Sequence, residues 1–210
     1  RYVYDRRTQV LSQHLAASLP LNARVLDVGT GDGTIAAKIC HNRPDVQITG
    51  VDVLVRPSTL IPVVQFNGRE LPFGDDSFDV VMFVDVLHHT DNPLVLLKEA
   101  VRVAKHAVVI KDHTLKGICA GATLRVMDWV GNARHGVSLP YNYWTERKWL
   151  DAFERVNGHV ESWNSRLRHD NAHDVVARKR DRHAVAASII SGRHAAGARI
   201  AKAAADDRTP

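Results

Sequence analysis

A doubly wound α/β fold, with a mostly parallel sheet covered by helices on both faces, is predicted for this chain of 210 residues. Short runs rich in valine and isoleucine alternate with amphipathic segments, which is typical of strands buried on both faces and joined by helices. The first of these runs ends in a glycine-rich turn, which is typical of a strand that leads into a ligand-binding helix.

The elements follow this alternation in order. Residues 1–20 predict a helix that ends at Pro20, because Val10, Leu11, Leu15 and Leu19 lie near one stripe. Further strands are predicted at residues 23–29, 46–53, 61–66, 78–86, 106–113 and 159–167, and further helices at 33–40, 92–105, 117–130 and 145–158. Residues 131–144 predict a loop rich in glycine and aromatic side chains.

The composition changes after residue 165. Residues 1–165 carry equal numbers of basic and acidic side chains, whereas residues 166–210 are rich in alanine, lack aromatic residues and carry the whole net charge of +5. We expect a folded domain over 1–165 and a poorly ordered basic tail over 166–210. No run of valine and isoleucine typical of a buried strand follows residue 167, so a seventh strand is expected to be missing.

Composition excludes several classes of protein. The hydrophobic content of 45% and charged content of 24% are those of a globular domain, and the longest apolar runs are too short to cross a bilayer. The start of the chain lacks the pattern of a signal segment, and two cysteines, Cys40 and Cys119, form no disulfide or metal framework. We therefore expect a cytoplasmic protein without a metal site.

The stretch VLDVGTGDGT at residues 25–34 predicts a ligand that approaches the backbone at a strand end. It differs from the dinucleotide fingerprint, because Thr34 stands where the third glycine of that motif belongs, and it lacks the lysine of a P-loop. Asp52 ends the next strand, where a carboxylate binds ribose hydroxyls. These residues alone leave open which adenosine cofactor is bound.

The segment NGRELPFGDDSFDVVMFVDVLHH, residues 67–89, narrows this choice. Together with the glycine turn it resembles the class I S-adenosylmethionine-dependent methyltransferases, which have a Rossmann-like fold. The resemblance is strongest to the small-molecule group that includes the ubiquinone and menaquinone biosynthesis type, and it covers about residues 20–115. The Leu-Pro-Phe and Leu-His-His motifs favour S-adenosylmethionine over NAD.

The resemblance implies roles for individual residues. Those implied to contact the methionine end of the cofactor are Asp27, Gly29, Thr30, Gly31 and Gly33. Asp52 would bind the ribose and Val53 would lie against the adenine. Asn67 and Gly68 would meet the adenine edge, although Asn67 replaces the usual aspartate. Asp85 would lie near the sulfonium and its methyl group.

Candidate catalytic residues lie where strands four and five end: Asp85, His88, His89, Asp112 and His113. A general base is needed only when an oxygen or carbon acceptor must lose a proton, and histidine titrates in the required range. The alternative for the paired histidines is a role in capping the next turn.

The loop at 131–144 is expected to cover the acceptor, with Arg134, His135, Tyr141 and Tyr143 as candidate substrate contacts. Its alternative role is packing on the core.

The function favoured is methyl transfer from S-adenosylmethionine to the oxygen or carbon of a small molecule. One alternative is a methyltransferase acting on nucleic acid or protein, but the neutral charge of residues 1–165 makes a nucleic-acid partner unfavourable. Another is a cofactor-binding but catalytically impaired domain, suggested by the missing seventh strand. A minor alternative is an NAD oxidoreductase. The identity of the acceptor and the oligomeric state are left open.

Overall fold

The computed structural model describes residues 2–115, 121, 124–125, 140–164, 172–179 and 185–189. Within these ranges the helices are α1 (Tyr2–Ala17), α2 (Thr34–Asn42), α3 (Pro93–Val103) and α4 (Glu146–Arg155), and Leu87–His89 form a 3-10 turn. The strands are β1 (Arg24–Val28), β2 (Gln47–Asp52), β3 (Val63–Gln65), β4 (Phe78–Val84), β5 (Ala104–His113), β6 (Gly158–Asn164), β7 (Ala172–Lys179) and β8 (Val185–Ile189).

The strands form one sheet in the order β3-β2-β1-β4-β5-β7-β6-β8. The five strands from β3 to β5 are parallel to their neighbours, with Val25 of β1 beside Ile48 of β2 and Val80 of β4. Their carboxyl ends therefore share one edge, which is where ligands of doubly wound sheets bind. The doubly wound, mostly parallel fold predicted from the sequence is confirmed.

The seventh strand differs from the prediction. Residues 172–179 form β7, which pairs antiparallel with β5 on one side and with β6 on the other. The expectation of a missing seventh strand was therefore wrong. Residues 172–179 were not recognised as a strand because their only large apolar side chains are two adjacent valines, Val175 and Val176. A strand inserted between two others gains backbone hydrogen bonds on both edges whatever its side chains.

Helices cover both faces of the sheet. Leu11 and Leu15 of α1 and Ile39 of α2 pack on one face, in a core cluster that includes Val109 of β5. Helices α3 and α4 pack on the other face, where the cluster includes Ile110. Successive side chains of a strand point to opposite faces, so the residues of β5 that follow Ile110 alternate between the two faces up to the carboxyl end of the strand, where ligands bind.

Polar contacts fix the helix ends. Arg43 donates hydrogen bonds to the carbonyl oxygens of Ala16, Leu19 and Pro20 at the end of α1, and to the carboxylate of Asp45.

Helix α4 begins as predicted, because the Thr145 hydroxyl accepts from the Lys148 amide. Its predicted end at Gly158 differs: Asn157 takes the left-handed conformation, with φ of 54°, and Gly158 begins β6.

Two other predicted segments are only partly described. Of the helix predicted at 117–130, Gly121, Leu124 and Arg125 are helical, and the remaining residues lie outside the described ranges. The loop predicted at 131–144 is described from residue 140 onward. No helix within the described ranges is long and apolar enough to span a bilayer. The domain boundary at residue 165 and the poorly ordered tail stay predictions.

Candidate functional site

The glycine turn after β1 requires glycine at two positions for different reasons. Gly29, Gly31 and Gly33 all have positive φ, of 73°, 62° and 79°. A Cβ on Gly29 would lie 2.5 Å from Cγ2 of Val86, so this glycine allows the turn to close on the end of β4. A Cβ on Gly31 would meet nothing within 4 Å, so the backbone there faces open space. This space is where a ligand has room to approach the turn.

Two carboxylates organise the same turn. The Thr30 hydroxyl donates to Asp27 at 2.6 Å, and the Gly31 amide donates to Oδ2 of Asp52 at 2.8 Å. Burial raises the pKa of Asp27 to about 7, because the Thr30 hydrogen bond opposes it only in part and Asp52 adds repulsion. Asp27 is therefore close to half-protonated at neutral pH, and a bound cation would favour its ionised form.

The end of β2 offers a polar and an apolar surface side by side. Oδ1 of Asp52 accepts the Leu54 amide at 3.0 Å, so each oxygen of this carboxylate already holds one backbone amide. Val53 is 53% exposed, and a Cβ on Gly68 would lie 3.1 Å from its Cγ1. Val53 and Gly68 are therefore neighbours at one exposed apolar surface, and the adenine roles predicted for them stay predictions.

Asn67 lies beside this surface, but its side chain has a local role. Its Oδ1 accepts the amides of Arg69 and Glu70, both at 2.8 Å. The oxygen of Asn67 therefore caps its own turn, which an aspartate would also do. Its predicted contact with the adenine edge stays a prediction.

The Leu-Pro-Phe segment is fixed by two helical residues that sequence reasoning missed. Glu99 accepts the Leu71 amide at 2.9 Å, and Arg102 donates to the carbonyls of Leu71 and Phe73. Glu99 and Arg102 are also paired with each other, at 2.7 Å. Their spacing of three residues on α3 is the signal that could have indicated the pair.

Asp85 follows β4 and forms a charge cluster. Its two oxygens both lie 2.6 Å from the Lys111 ammonium, with Nε2 of His113 at 3.4 Å and Arg7 of α1 at 3.5 Å. Burial alone would raise the pKa of Asp85, but Lys111, and after it His113 and Arg7, hold that pKa well below its usual range. Asp85 is thus an ionised carboxylate at neutral pH. Lys111 was missed because a lysine within a strand suggests an exposed residue.

Asp112 connects β5 to the 3-10 turn. It accepts the backbone amides of Leu87, at 2.9 Å, and of His88, and its Oδ1 contacts Nδ1 of His88. Burial would raise the pKa of Asp112, but the His88 ring outweighs it and lowers that pKa. The sequence analysis treated Asp112 and His113 as one pair. The structure instead pairs the Asp112 side chain with His88, while His113 contributes only its backbone amide.

Part of the loop after β5 returns to this turn. Asn142 donates to the carbonyls of Thr90 and Asp91, at 2.7 and 3.1 Å. The Tyr143 ring stacks on His88 with centroids 5.4 Å apart, and the His89 ring lies 4.0 Å from His88.

Tyr141, whose ring centroid is 6.4 Å from that of Tyr143, extends the cluster. Of the predicted substrate contacts, these two tyrosines therefore lie beside the histidine turn, where Tyr143 is only 7% exposed. Arg134 and His135 lie outside the described residues.

The site combines a glycine turn after β1, a carboxylate at the tip of β2 and a histidine turn after β4. On a doubly wound sheet, these features are those of a methyltransferase domain. A family model described as a methyltransferase domain matches residues 2–163, and the chain belongs to this family. The family predicted from the sequence motifs is thereby confirmed.

Individual relatives agree with this assignment. A demethylmenaquinone methyltransferase of Porphyromonas gingivalis is 39% identical over 93 aligned residues, and the match covers 38% of this chain and 38% of the relative. A 2-methyl-6-phytyl-1,4-hydroquinone methyltransferase of Synechocystis is 29% identical over 163 residues, covering 69% of this chain and 46% of the relative. The chain spans less than half the length of these curated relatives.

A solved structure shows the same fold. The magnesium protoporphyrin IX methyltransferase of Synechocystis, determined with S-adenosylhomocysteine bound, has a TM-score of 0.58 and 15% identity, with 82% of this chain and 83% of that one covered.

Proposed function

We propose that this chain transfers a methyl group from S-adenosylmethionine to an oxygen or carbon of a small molecule. The observation that carries the proposal is the glycine turn, whose backbone at Gly31 faces open space directly beside the Asp52 carboxylate. Backbone amides and a carboxylate at the carboxyl edge of a doubly wound sheet are suited to an adenosine cofactor with an amino-acid end.

The residues present fit this cofactor. Asp27, Thr30 and the amides of the turn would hold the charged methionine end, since a buried carboxylate gains most from a cationic partner. Asp52 would bind the ribose hydroxyls through lone pairs that the Gly31 and Leu54 amides do not use. Val53 would contact the adenine face, with Asn67 and Gly68 at its edge.

When bound, the cofactor supplies a methyl group activated by a sulfonium. The chain's own residues then orient the acceptor, and alignment of two reactants can lower the activation barrier by about 7–11 kcal/mol. Asp85, ionised and held by Lys111, would place a fixed negative charge near the sulfonium. His88 is almost fully buried, so with Asp112 it would hold the turn, and the His113 side chain beside it is 12% exposed.

Aromatic side chains favour a flat acceptor. Tyr141 and Tyr143 lie above the histidine turn, and Arg125 lies 5.6 Å from the centre of the Tyr141 ring. The names of two relatives describe methylation of a demethylmenaquinone and of a hydroquinone, which supports quinols and phenols as acceptors. Arg134 and His135 remain proposed contacts of that acceptor. The cytoplasm is the compartment we propose, since the chain has only two cysteines.

The alternative of a catalytically impaired domain has lost the observation that suggested it. It rested on a missing seventh strand, and β7 occupies that place between β5 and β6. The alternative of a nucleic-acid or protein substrate rests only on the basic composition of residues 166–210.

Transfer of a radiolabelled methyl group tests the proposal. The chain is incubated with labelled S-adenosylmethionine and a panel of phenols, quinols and hydroxy acids. We expect labelled product with at least one acceptor, and loss of that product in Asp52→Asn. The matched control is Asp151→Asn on the exposed face of α4, which should keep full activity. Equal activity of Asp52→Asn and the unchanged chain would contradict the proposed site.

A further inference from the structure

Lys111 is a buried cation at the edge of the sheet where the cofactor and acceptor are proposed to bind. It follows Val109 by two residues, so it points to the face covered by α1 and α2. Its side chain is only 1% exposed, and its ammonium contacts both oxygens of Asp85 at 2.6 Å. A lysine buried to this extent requires such a partner, because an unpaired ammonium would lose its charge.

The pair lies directly beside the cofactor turn. Asp85 has φ of 57°, in the left-handed region that aspartate adopts more readily than most residues, and its neighbour Val86 is the residue that Gly29 closes upon. The Asp85 amide also donates to the Lys111 carbonyl at 2.8 Å, so backbone and side chains join the two strands.

His113 is the second residue that faces Asp85 from β5. Its Nε2 lies 3.4 Å from Oδ1 of Asp85. Because a carboxylate accepts but does not donate, we assign the proton of the neutral ring to Nε2 and its lone pair to Nδ1. Among the described residues Nδ1 is buried and has no hydrogen-bond partner. A buried acceptor of this kind is unfavourable unless a ligand supplies the donor.

The charges around His113 favour this neutral ring. Burial lowers the pKa of His113, Asp85 opposes that effect, and Lys111 lowers the pKa further. The other groups that face the ring are His88, with centroids 5.2 Å apart, and Tyr143, at 6.4 Å. Asp112 is adjacent in sequence, but its side chain is directed to His88 on the opposite face.

We propose that Lys111 is a positioning residue: it pairs with the Asp85 carboxylate in place of a protonated His113, so that His113 keeps a neutral ring whose Nδ1 takes a proton from the acceptor. The inference rests on the proposed function and adds to it the base and the residue that sets its charge. It also excludes Asp85 as the base, since a carboxylate paired with two cations is too weak a proton acceptor.

The proton and electrons balance as follows. The O–H or C–H bond of the acceptor breaks, and its proton goes to Nδ1 of His113. The electron pair left on the acceptor forms the bond to the methyl carbon, while the pair of the methyl–sulfur bond stays on sulfur. His113 becomes an imidazolium, which Asp85 stabilises at 3.4 Å.

Titration of His113 by NMR tests the inference without an acceptor. The free chain is labelled on histidine, and the His113 resonance is assigned from its loss in His113→Gln. In the unchanged chain we expect a midpoint below the ordinary value for histidine. Lys111→Met, which keeps the length of the side chain and removes its charge, should raise the midpoint by about one unit. His159, exposed on β6, is the internal control and should not shift.

A second variant addresses the case in which Lys111→Met does not fold. Lys111→Met combined with Asp85→Asn leaves no unpaired charge, and its His113 midpoint should return to within about half a unit of the unchanged chain. An unchanged midpoint in folded Lys111→Met would overturn the inference. A midpoint in the double variant more than about half a unit from the unchanged chain would overturn it too, because the two charges would not then offset each other.

The proposed function is tested separately by binding of S-adenosylhomocysteine to the same proteins. Binding with an unshifted His113 would remove the role of Lys111 and leave the cofactor site intact. A shifted His113 without binding would support the role of Lys111 and contradict the cofactor.

Discussion

Replacing Asp27 with asparagine should make the free chain more stable at pH 8 and at the same time remove most of its affinity for the cofactor. Asp27 is buried, and burial raises its pKa from 3.8 to about 7. The folded chain therefore holds a proton that the unfolded chain releases above about pH 4. Stability is highest below that pH and is lost progressively as the pH rises to about 7, where the folded chain must ionise Asp27.

The magnitude follows from the shift. A raised pKa of about three units corresponds to about 4 kcal/mol of lost stability above pH 7. Asparagine carries no such cost, so the variant's advantage over the unchanged chain should grow by about 3 kcal/mol between pH 5 and pH 8. Comparison of the two proteins at each pH cancels the titration of all other groups.

Urea denaturation at pH 5 and pH 8 measures this difference, with Asp151→Asn as a control whose advantage should stay constant. Calorimetric titration with S-adenosylhomocysteine should show affinity about 10–100-fold weaker in Asp27→Asn, because the charged hydrogen bond that we propose to the ligand's ammonium would be lost. The reasoning is refuted if the stability difference between Asp27→Asn and the unchanged chain is the same at both pH values.

Three further variants test the turn, the Leu-Pro-Phe segment and the loop. Gly29→Ala should lower the free energy of unfolding by about 3 kcal/mol, since its Cβ would lie 2.5 Å from Val86. Gly31→Ala should lower it by only about 1–2 kcal/mol, because alanine is unfavourable at the positive φ of this residue but meets no other atom. Equal losses for the two variants in urea denaturation would count against this difference. Arg102→Met should cost about 2 kcal/mol, because it leaves two backbone carbonyls without a donor and Glu99 without its ion pair, and an unchanged urea midpoint would argue against that anchor. Asn142→Ala should lower the melting temperature by about 2–4 °C while binding of S-adenosylhomocysteine stays the same, and weakened binding would place Asn142 at the cofactor instead.

The parallel half of the fold could be predicted because its strands are buried on both faces. Runs such as VVMF at residues 80–83 are fully buried, and burial of that kind selects apolar residues at every position. Strand β7 could not be found in this way. Its sequence AHDVVARK contains Asp174 and Arg178, and its place in the sheet depends on backbone pairing with β5 and β6, which composition does not report.

The arrangement at the ends of β1 and β2 was also predictable, since glycines and acidic residues at strand ends follow from the chemistry of the ligand proposed there. The partners at the end of β5 were not. Asp112 and His113 are adjacent in sequence, but neighbouring residues of a strand point to opposite faces. Asp112 therefore meets His88, while His113 and Lys111 meet Asp85. Which residue faces which partner depends on the register of β4 and β5, and the sequence contains no direct signal of it.

Calorimetric titration with S-adenosylhomocysteine tests the central claim, that the turn after β1 and the tip of β2 form a cofactor site. The unchanged chain, Asp52→Asn and the control Asp151→Asn are compared at pH 8. We predict a Kd of about 1–100 μM for the unchanged chain and the control, and binding at least about tenfold weaker in Asp52→Asn. No binding by the folded, unchanged chain, or equal binding by all three proteins, would contradict the claim.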